Sequence, residues 1–214
     1  MKSAPVAAVL LAIIMTPVLL PAQPLESWHN FELPLREAGR FNTQFNLQLR
    51  TRRRFQDLYQ TRVGTISRIR LANSFTAIAG FYYTLQESSQ RDRWDNQNRI
   101  WGGIERPFRA GVGVITLRSL YEHWFEGLRG RDNRTRWLTQ YRRPVGHGAV
   151  ASFGIETFTD SRGYMAERLT ATMARAVGQG WSAELGYTYD GRPERVGGKR
   201  QMITTTVRRR SSDR

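Results

Sequence analysis

Arginines recur at alternate positions along several segments, and their side chains could bind or attract anions. Between residues 59 and 71, Arg62, Arg68 and Arg70 share one face of an alternating pattern whose other face carries mostly apolar and small residues. A guanidinium group is planar, always charged and able to donate in pairs to carboxylate or phosphate oxygens. The charged residues on such polar faces are Arg50, Arg52, Arg62, Arg68, Arg70, Arg99, Arg118, Arg134, Arg136, Arg142 and Arg168, together with Glu105, Glu122, Glu156, Glu184 and Asp190.

Eleven arginines in this set face five carboxylates. An unpaired buried charge is very costly, so the arginines left over need water or phosphate-like anions. If the polar faces line an interior, that interior is predicted to be wet near at least one mouth and strongly electropositive. Rings of arginine would then favour anions in any passage. The alternative interpretation is that the ion pairs only fill and stiffen a closed barrel.

Catalytic chemistry finds little support in the sequence. Nucleophilic hydrolysis needs a serine or threonine beside a histidine and an orienting group. His123 follows Glu122, but neighbours on a strand point to opposite faces. His147 lies in a glycine-rich turn, and no carboxylate is spaced to complete a triad with Ser152. The chain is therefore predicted not to be an enzyme, and no metal-binding, phosphate-loop or dinucleotide motif predicts a cofactor.

The elements that must position the charged residues are amphipathic β-strands. Strict alternation of polar and apolar residues over such lengths is typical of strands with one wet face. Counting from Phe41 predicts ten strands, with twelve held open, at 41–54, 59–71, 75–85, 99–108, 113–125, 134–142, 149–158, 164–177, 181–190 and 201–208. Ten strands place both chain ends at one rim. The segment 28–35 is not one of these ten strands. It is expected to form a plug, a clip or a further strand.

Strand length and loop pattern favour an all-β, antiparallel, up-and-down transmembrane barrel. Tight turns are predicted to alternate with longer polar connections at 86–98, 126–133, 159–163 and 191–200, as in barrels with short periplasmic turns and long extracellular loops. Aromatic residues such as Tyr59, Tyr141 and Trp181 fall near strand ends, where membrane barrels carry aromatic girdles. The apolar faces would then contact lipid. A soluble barrel with those faces inward is the competing fold.

The N-terminus is predicted to direct export. Lys2 precedes an apolar run at 4–20, and small residues follow before polar sequence begins, which is typical of a secretory signal peptide. We expect a signal peptide at 1–22 and one barrel domain at 23–214. The chain has no cysteine and a formal charge of +15, and of its 33 basic residues only Lys2 and Lys199 are lysine. Because the arginines follow the strand period rather than one element, nucleic-acid binding is not expected.

Three short motifs, in order, carry a resemblance to a known family. They are NRIW at 98–101, LRSLYEH at 117–123, and GIETF at 154–158 followed by Arg168-Leu169, with Trp28 near the expected mature start. The chain resembles the bacterial outer-membrane barrels grouped as domain-of-unknown-function family 2490. The resemblance implies an outer-membrane β-barrel and no established activity. One departure is the basic end at 208–214, where such barrels commonly finish on an aromatic residue.

The leading functional hypothesis is an outer-membrane barrel that acts as an envelope structural component or as a narrow, anion-favouring pore. Its expected partners are outer-membrane lipid and lipopolysaccharide, with small anions in the lumen. Two alternatives from other classes are a lipid- or lipopolysaccharide-modifying barrel enzyme and a soluble exported β-barrel carrier.

Overall fold

The computed structural model describes residues 25–52, 56–88, 93–125, 132–161, 163–193 and 198–209. The expected signal peptide at 1–22 lies outside these residues. Eleven strands form one closed barrel, and each strand pairs with its neighbours in the chain. The strands are β1 (Leu25–Ala38), β2 (Phe41–Arg52), β3 (Asp57–Arg70), β4 (Thr76–Ser88), β5 (Arg93–Ala110), β6 (Gly113–Trp124), β7 (Asp132–Gly146), β8 (Ala149–Asp160), β9 (Gly163–Gly178), β10 (Trp181–Gly191) and β11 (Arg200–Arg209).

The predicted all-β barrel is confirmed, and its ten predicted strands correspond to β2–β11. The left-over segment 28–35 is not a plug or a clip, because it lies within β1, which forms part of the wall. An odd number of up-and-down strands closes only if one neighbouring pair is parallel. That pair is β1 and β11, in register from Leu25 opposite Gln201 to Glu32 opposite Arg208. The described strands therefore begin and end at opposite rims, not at the same rim as ten strands would require.

The two rims differ in their connections. At the turn end, four connections contain two residues each and the fifth spans 71–75, with a short 3-10 turn at Ala72–Ser74. His147 and Gly148 form one of these turns with φ of 50° and 70°, the left-handed pair that a tight hairpin requires. At the loop end, the connections are 53–56, 89–92, 125–131, 161–162 and 192–199.

Two of the predicted long loops are shorter than expected. The interval 86–98 is mostly strand, because β4 and β5 remain paired from Gln86 opposite Asp95 to Ser88 opposite Arg93. The interval 159–163 likewise contracts to a two-residue connection between β8 and β9. Residues 86–98 and 159–163 are mostly polar, so the alternation that marks a strand in the sequence fades before the strand itself ends.

Side chains alternate between an apolar outer surface and a polar interior. Large apolar side chains are exposed around the barrel, and Ile104, Trp137 and Leu185 are 49%, 55% and 61% exposed. No helix among the described residues is long and apolar enough to cross a membrane. Inside, an apolar cluster of Ile66, Ile78, Tyr82, Trp101 and Leu120 fills the side formed by β3–β6. Trp101 fits there because its neighbour Gly80 has no side chain, and a Cβ at Gly80 would lie 2.4 Å from the indole ring.

Side chains reinforce the parallel seam at both of its ends. Arg200 of β11 lies 3.3 Å from the carboxylate of Glu26, and Arg208 pairs with Glu32 further along the same two strands. Parallel pairing is slightly weaker per residue than antiparallel pairing, and a slip of one residue would turn every side chain to the wrong face. The two ion pairs therefore favour the register that closes the barrel.

Candidate functional site in the barrel lumen

Glu122 is a fully enclosed carboxylate of the lumen. It projects inward from β6, and its side chain is 0% exposed. Arg134 donates to one carboxylate oxygen at 2.5 Å, and Arg99 and Arg136 donate to the other at 3.0 and 2.7 Å. Two strands, β5 and β7, thus supply three cations to one anion on β6. Since charge-assisted hydrogen bonds are stronger than neutral ones, this cluster fastens β5, β6 and β7 together from the inside.

The same pattern continues around the wall. Arg136 also donates to Glu156 of β8 at 2.6 Å, and Arg118 donates to the same oxygen at 3.2 Å. Arg168 of β9 then lies 3.4 Å from Glu156 and 3.2 Å from Asp190 of β10. The result is one continuous network across six neighbouring strands, β5–β10.

Asp190 ends the network near the loop end, where Arg192 lies 2.6 Å from it. The network therefore combines six arginines with three carboxylates: Arg99, Arg118, Arg134, Arg136, Arg168 and Arg192 with Glu122, Glu156 and Asp190. Even this paired part of the lumen carries a formal excess of three positive charges.

Aromatic rings support several of the same arginines. The guanidinium of Arg134 lies 4.6 Å from the ring centres of both Trp124 and Phe158. That of Arg99 lies 5.0 Å from the ring of Tyr82. Cation–π contacts stabilise guanidinium groups without neutralising their charge. The aromatic residues therefore hold the arginines in place and leave the electrostatic character of the lumen positive.

An internal cavity of about 300 Å³ adjoins the network and extends to the loop end of the barrel. No aspartate or glutamate lines this cavity among the described residues. Its aromatic and amide lining includes Trp28, Tyr82, Trp101 and Gln48. Ten arginines line it: Arg50, Arg62, Arg68, Arg99, Arg118, Arg134, Arg136, Arg168, Arg192 and Arg200. The carboxylates lie behind these arginines, so the cavity is bounded mainly by guanidinium groups.

Arg50 and Arg62 differ from the other arginines of the cavity in their hydrogen-bond acceptors. Arg50 donates to the side-chain oxygen of Gln48 at 2.7 Å, and Arg62 donates to that same oxygen at 3.2 Å. Arg62 also donates to Gln60 and Thr84, and Arg50 stacks on Trp28 at 3.7 Å from the ring centre. All of these acceptors are neutral. Two charges therefore converge on one amide oxygen without a carboxylate partner in the described part of the chain.

A second cavity, of about 350 Å³, lies at the turn end. Its lining includes Glu37, Arg70 and Glu105, and Arg68 lines both this cavity and the first one. Arg68 donates to Gln44 at 3.1 Å and lies 3.9 Å from Glu105, with its side chain 32% exposed. The side chain of Arg68 thus stands between the two cavities.

The remaining residues of the predicted set lie away from this network. Arg52 pairs with Asp57 at 2.8 Å and with Glu87 at the loop end. Arg142 is exposed near the turn end on β7, and Glu184 is partly exposed on β10. The structure therefore brings together Arg50, Arg62, Arg68, Arg99, Arg118, Arg134, Arg136 and Arg168 with Glu122, Glu156 and Asp190, whereas Arg70 and Glu105 line the turn-end cavity.

The histidines lie elsewhere. His123 points outward and contacts Asn133 at 2.7 Å, and His147 is exposed in its turn. At the seam, however, Ser27 Oγ lies 2.9 Å from His29 Nε2, and His29 Nδ1 lies 2.8 Å from Thr205 Oγ1. This serine–histidine pair was not predicted. Ser27 is 0% exposed, and no carboxylate of the described residues orients the imidazole, so the contacts favour a role in joining β1 to β11.

The described residues contain no group of three or more histidines or carboxylates that could hold a metal ion. Residues 25–199 match the model of a protein family described as "Protein of unknown function (DUF2490)". The chain belongs to this family. No curated protein matches the sequence. The matched region of the DUF2490 barrel begins with β1 and continues past β10, so it includes the network and most of the cavity.

Sequence reasoning missed several lumen residues of this DUF2490 chain. Arg192 and Arg200 were assigned to a loop, although both line the cavity. Glu26 accepts from Tyr59 at 2.7 Å and pairs with Arg200 at 3.3 Å. The alternation of Glu26, Trp28, Asn30 and Glu32 would have identified β1 as a wall strand with a polar inner face.

Proposed function

We propose that this protein is an outer-membrane barrel whose arginine-lined lumen forms a narrow, anion-favouring pore. The observation that carries the proposal is the pair of lumen cavities that meet at Arg68. Among the described residues, ten arginines and no carboxylate line the first of these cavities. The proposed partners are membrane lipid and lipopolysaccharide at the outer surface and small anions inside. No catalytic role is assigned.

The apolar outer surface supports placement in a bilayer. Monomeric soluble proteins rarely expose large continuous apolar patches, whereas membrane barrels carry an apolar band flanked by aromatic residues. Here Phe31, Phe81, Ile100, Leu169 and Leu185 are exposed on five different strands, each at 39–61%. Among the described residues, the two lumen cavities are lined largely by arginines and other polar side chains, unlike the mostly apolar ligand cavity that a soluble carrier would need.

The excess of cations supports selectivity for anions. A charge some 4 Å from a guanidinium experiences about 4 kcal/mol of attraction or repulsion at the effective dielectric of a partly buried site. The carboxylates of the network are enclosed behind arginines, so a small ion in the cavity meets positive groups first. A monovalent anion is therefore stabilised along this path, and a monovalent cation is repelled.

We predict that the purified barrel, inserted in a planar bilayer under a potassium chloride gradient, gives small single-channel currents. The reversal potential should indicate a chloride-to-potassium permeability ratio of at least about five, since a net preference of about 1 kcal/mol corresponds to that factor. In cells, the protein should fractionate with the outer membrane and show heat-modifiable gel mobility after detergent extraction.

Each contrary result points to one of the other functional classes. Recovery in the soluble periplasmic fraction would favour an exported carrier. A membrane-inserted barrel without channel events would leave the network as a structural device and refute the pore, and cation selectivity would refute the anion-favouring lumen.

A further inference from the structure

We infer that the lumen holds a specific oxyanion site between Arg50 and Arg62, with a phosphate group as the ligand chemistry. The inference deepens the proposed function and rests on it in one respect, because both require that anions reach the lumen. Phosphate groups reach such a site either as free phosphates or as the headgroup of a lipid. The chemistry of recognition is the same in both cases.

The shared acceptor Gln48 brings the two guanidinium groups together. Its side-chain oxygen accepts from Arg50 at 2.7 Å and from Arg62 at 3.2 Å. The amide is fixed in this orientation because its nitrogen donates to Asn30 at 2.6 Å. Two planar forks therefore converge on one point of the cavity wall, which is the arrangement that bidentate recognition of phosphate oxygens uses.

Neutral acceptors leave both charges available to a ligand. The other arginines that bond Glu122, Glu156 or Asp190 already share a carboxylate, whereas Arg50 and Arg62 bond only glutamine and threonine oxygens in the described chain. An oxyanion accepts stronger hydrogen bonds than an amide oxygen does and also neutralises charge. Binding there would relieve the cost of two enclosed cations.

Buried hydrogen-bond donors without acceptors also occur elsewhere around the same cavity. The Nε atoms of Arg118 and Arg168, the indole nitrogen of Trp101 and the amide nitrogen of Gln97 are buried and have no acceptor in the described protein. All four residues line the cavity. A ligand rich in acceptor oxygens fits such a wall, and a ligand rich in donors does not. A phosphate or diphosphate group has that property, and it carries more charge than chloride.

The test is a titration of the folded barrel in neutral detergent micelles, with inorganic pyrophosphate, inorganic phosphate and chloride as probes. Binding is measured by calorimetry and by the fluorescence of Trp28, Trp101 and Trp124, all of which line the cavity. We expect pyrophosphate to bind most tightly and chloride least. Dihexanoyl phosphatidic acid forms a separate arm, and stronger binding of this lipid than of pyrophosphate would identify the lipid headgroup as the source.

Arg50→Gln and Arg62→Gln should each weaken binding by at least about tenfold, because each removes charge-assisted hydrogen bonds. The matched control is Arg175→Gln, which removes the same charge from an exposed position on the outer face of β9. Heat-modifiable mobility establishes that each variant is folded. If either glutamine variant does not fold, Arg50→Lys and Arg62→Lys replace it; they keep the charge but lose the fork, and binding should still weaken.

The inference is overturned if neither pyrophosphate nor the short-chain phosphatidic acid binds the folded barrel. It is equally overturned if binding survives unchanged in both Arg50 and Arg62 variants. Binding in micelles does not depend on conduction, so a barrel that binds pyrophosphate but carries no current would refute the pore alone. A conducting barrel without phosphate binding would refute this site alone.

Discussion

Replacing Glu122 with glutamine is expected to lower the free energy of unfolding by about 3–5 kcal/mol, the largest loss for any single substitution in the lumen. The substitution keeps the size of the side chain but removes the negative charge that Arg99, Arg134 and Arg136 share, although Arg136 also bonds Glu156. Those three guanidinium groups would then face one another at close range with a neutral amide between them. The measurement is urea-induced unfolding of the refolded barrel, followed by tryptophan fluorescence.

Two further variants separate this effect from a general loss of charge. Glu105→Gln is the matched control, because Glu105 lies 3.9 Å from Arg68 and is 21% exposed, and partly exposed pairs of this kind contribute about 0–1 kcal/mol. Adding Arg99→Gln to Glu122→Gln should recover about 1 kcal/mol or more, since it removes one of the repelling cations. Equal losses in Glu122→Gln and Glu105→Gln would contradict the central role of Glu122.

Replacing Arg68 is expected to change conduction more than any other substitution of a lumen arginine. Arg68 lines both cavities, so its side chain occupies the boundary that an ion would pass in the proposed pore. Arg68→Ala should increase single-channel conductance severalfold, because it removes a long side chain from that boundary. Arg68→Glu should lower the chloride-to-potassium permeability ratio by at least about fivefold, because it places a negative charge there.

The matched control for this pair is Arg175→Ala, which removes one arginine from the outer face of β9. It should leave both conductance and selectivity unchanged, while the same measurements change for Arg68. If Arg68→Ala conducts like the unmodified barrel, the passage between the cavities does not run past this residue. If Arg68→Glu keeps the original reversal potential, selectivity is determined elsewhere along the lumen.

The sequence predicted the strands of this barrel because their period is local. Alternation alone located β2–β11, and it assigned Arg62, Arg68 and Glu122 to one kind of face. It could not show how the segment 28–35 closes the barrel, because closure depends on the pairing of β1 with β11, and that parallel contact joins residues 176 positions apart, such as His29 and Thr205. Nothing in the local pattern of either strand specifies the partner.

The sequence also could not distinguish paired from unpaired arginines. Arg50 and Arg99 both face the lumen, yet Arg99 reaches Glu122, whereas Gln48 is the hydrogen-bond acceptor of Arg50 within the described part of the chain. The difference arises from which strands are neighbours and how their registers align, since Arg99 on β5 bonds a carboxylate of the adjacent β6, whereas Arg50 bonds an amide of its own strand. Charge counting predicted an excess of cations, and the fold determines where that excess lies.

The most direct test of the central claim is to locate ions in crystals of the barrel. Crystals grown or soaked in sodium iodide should show anomalous scattering inside the lumen, beside Arg50 and Arg62 and near Arg68, and crystals soaked in caesium chloride should show no caesium there. That pair of results is what an accessible lumen bounded by guanidinium groups predicts. A lumen without iodide, or one that admits caesium, would contradict the account.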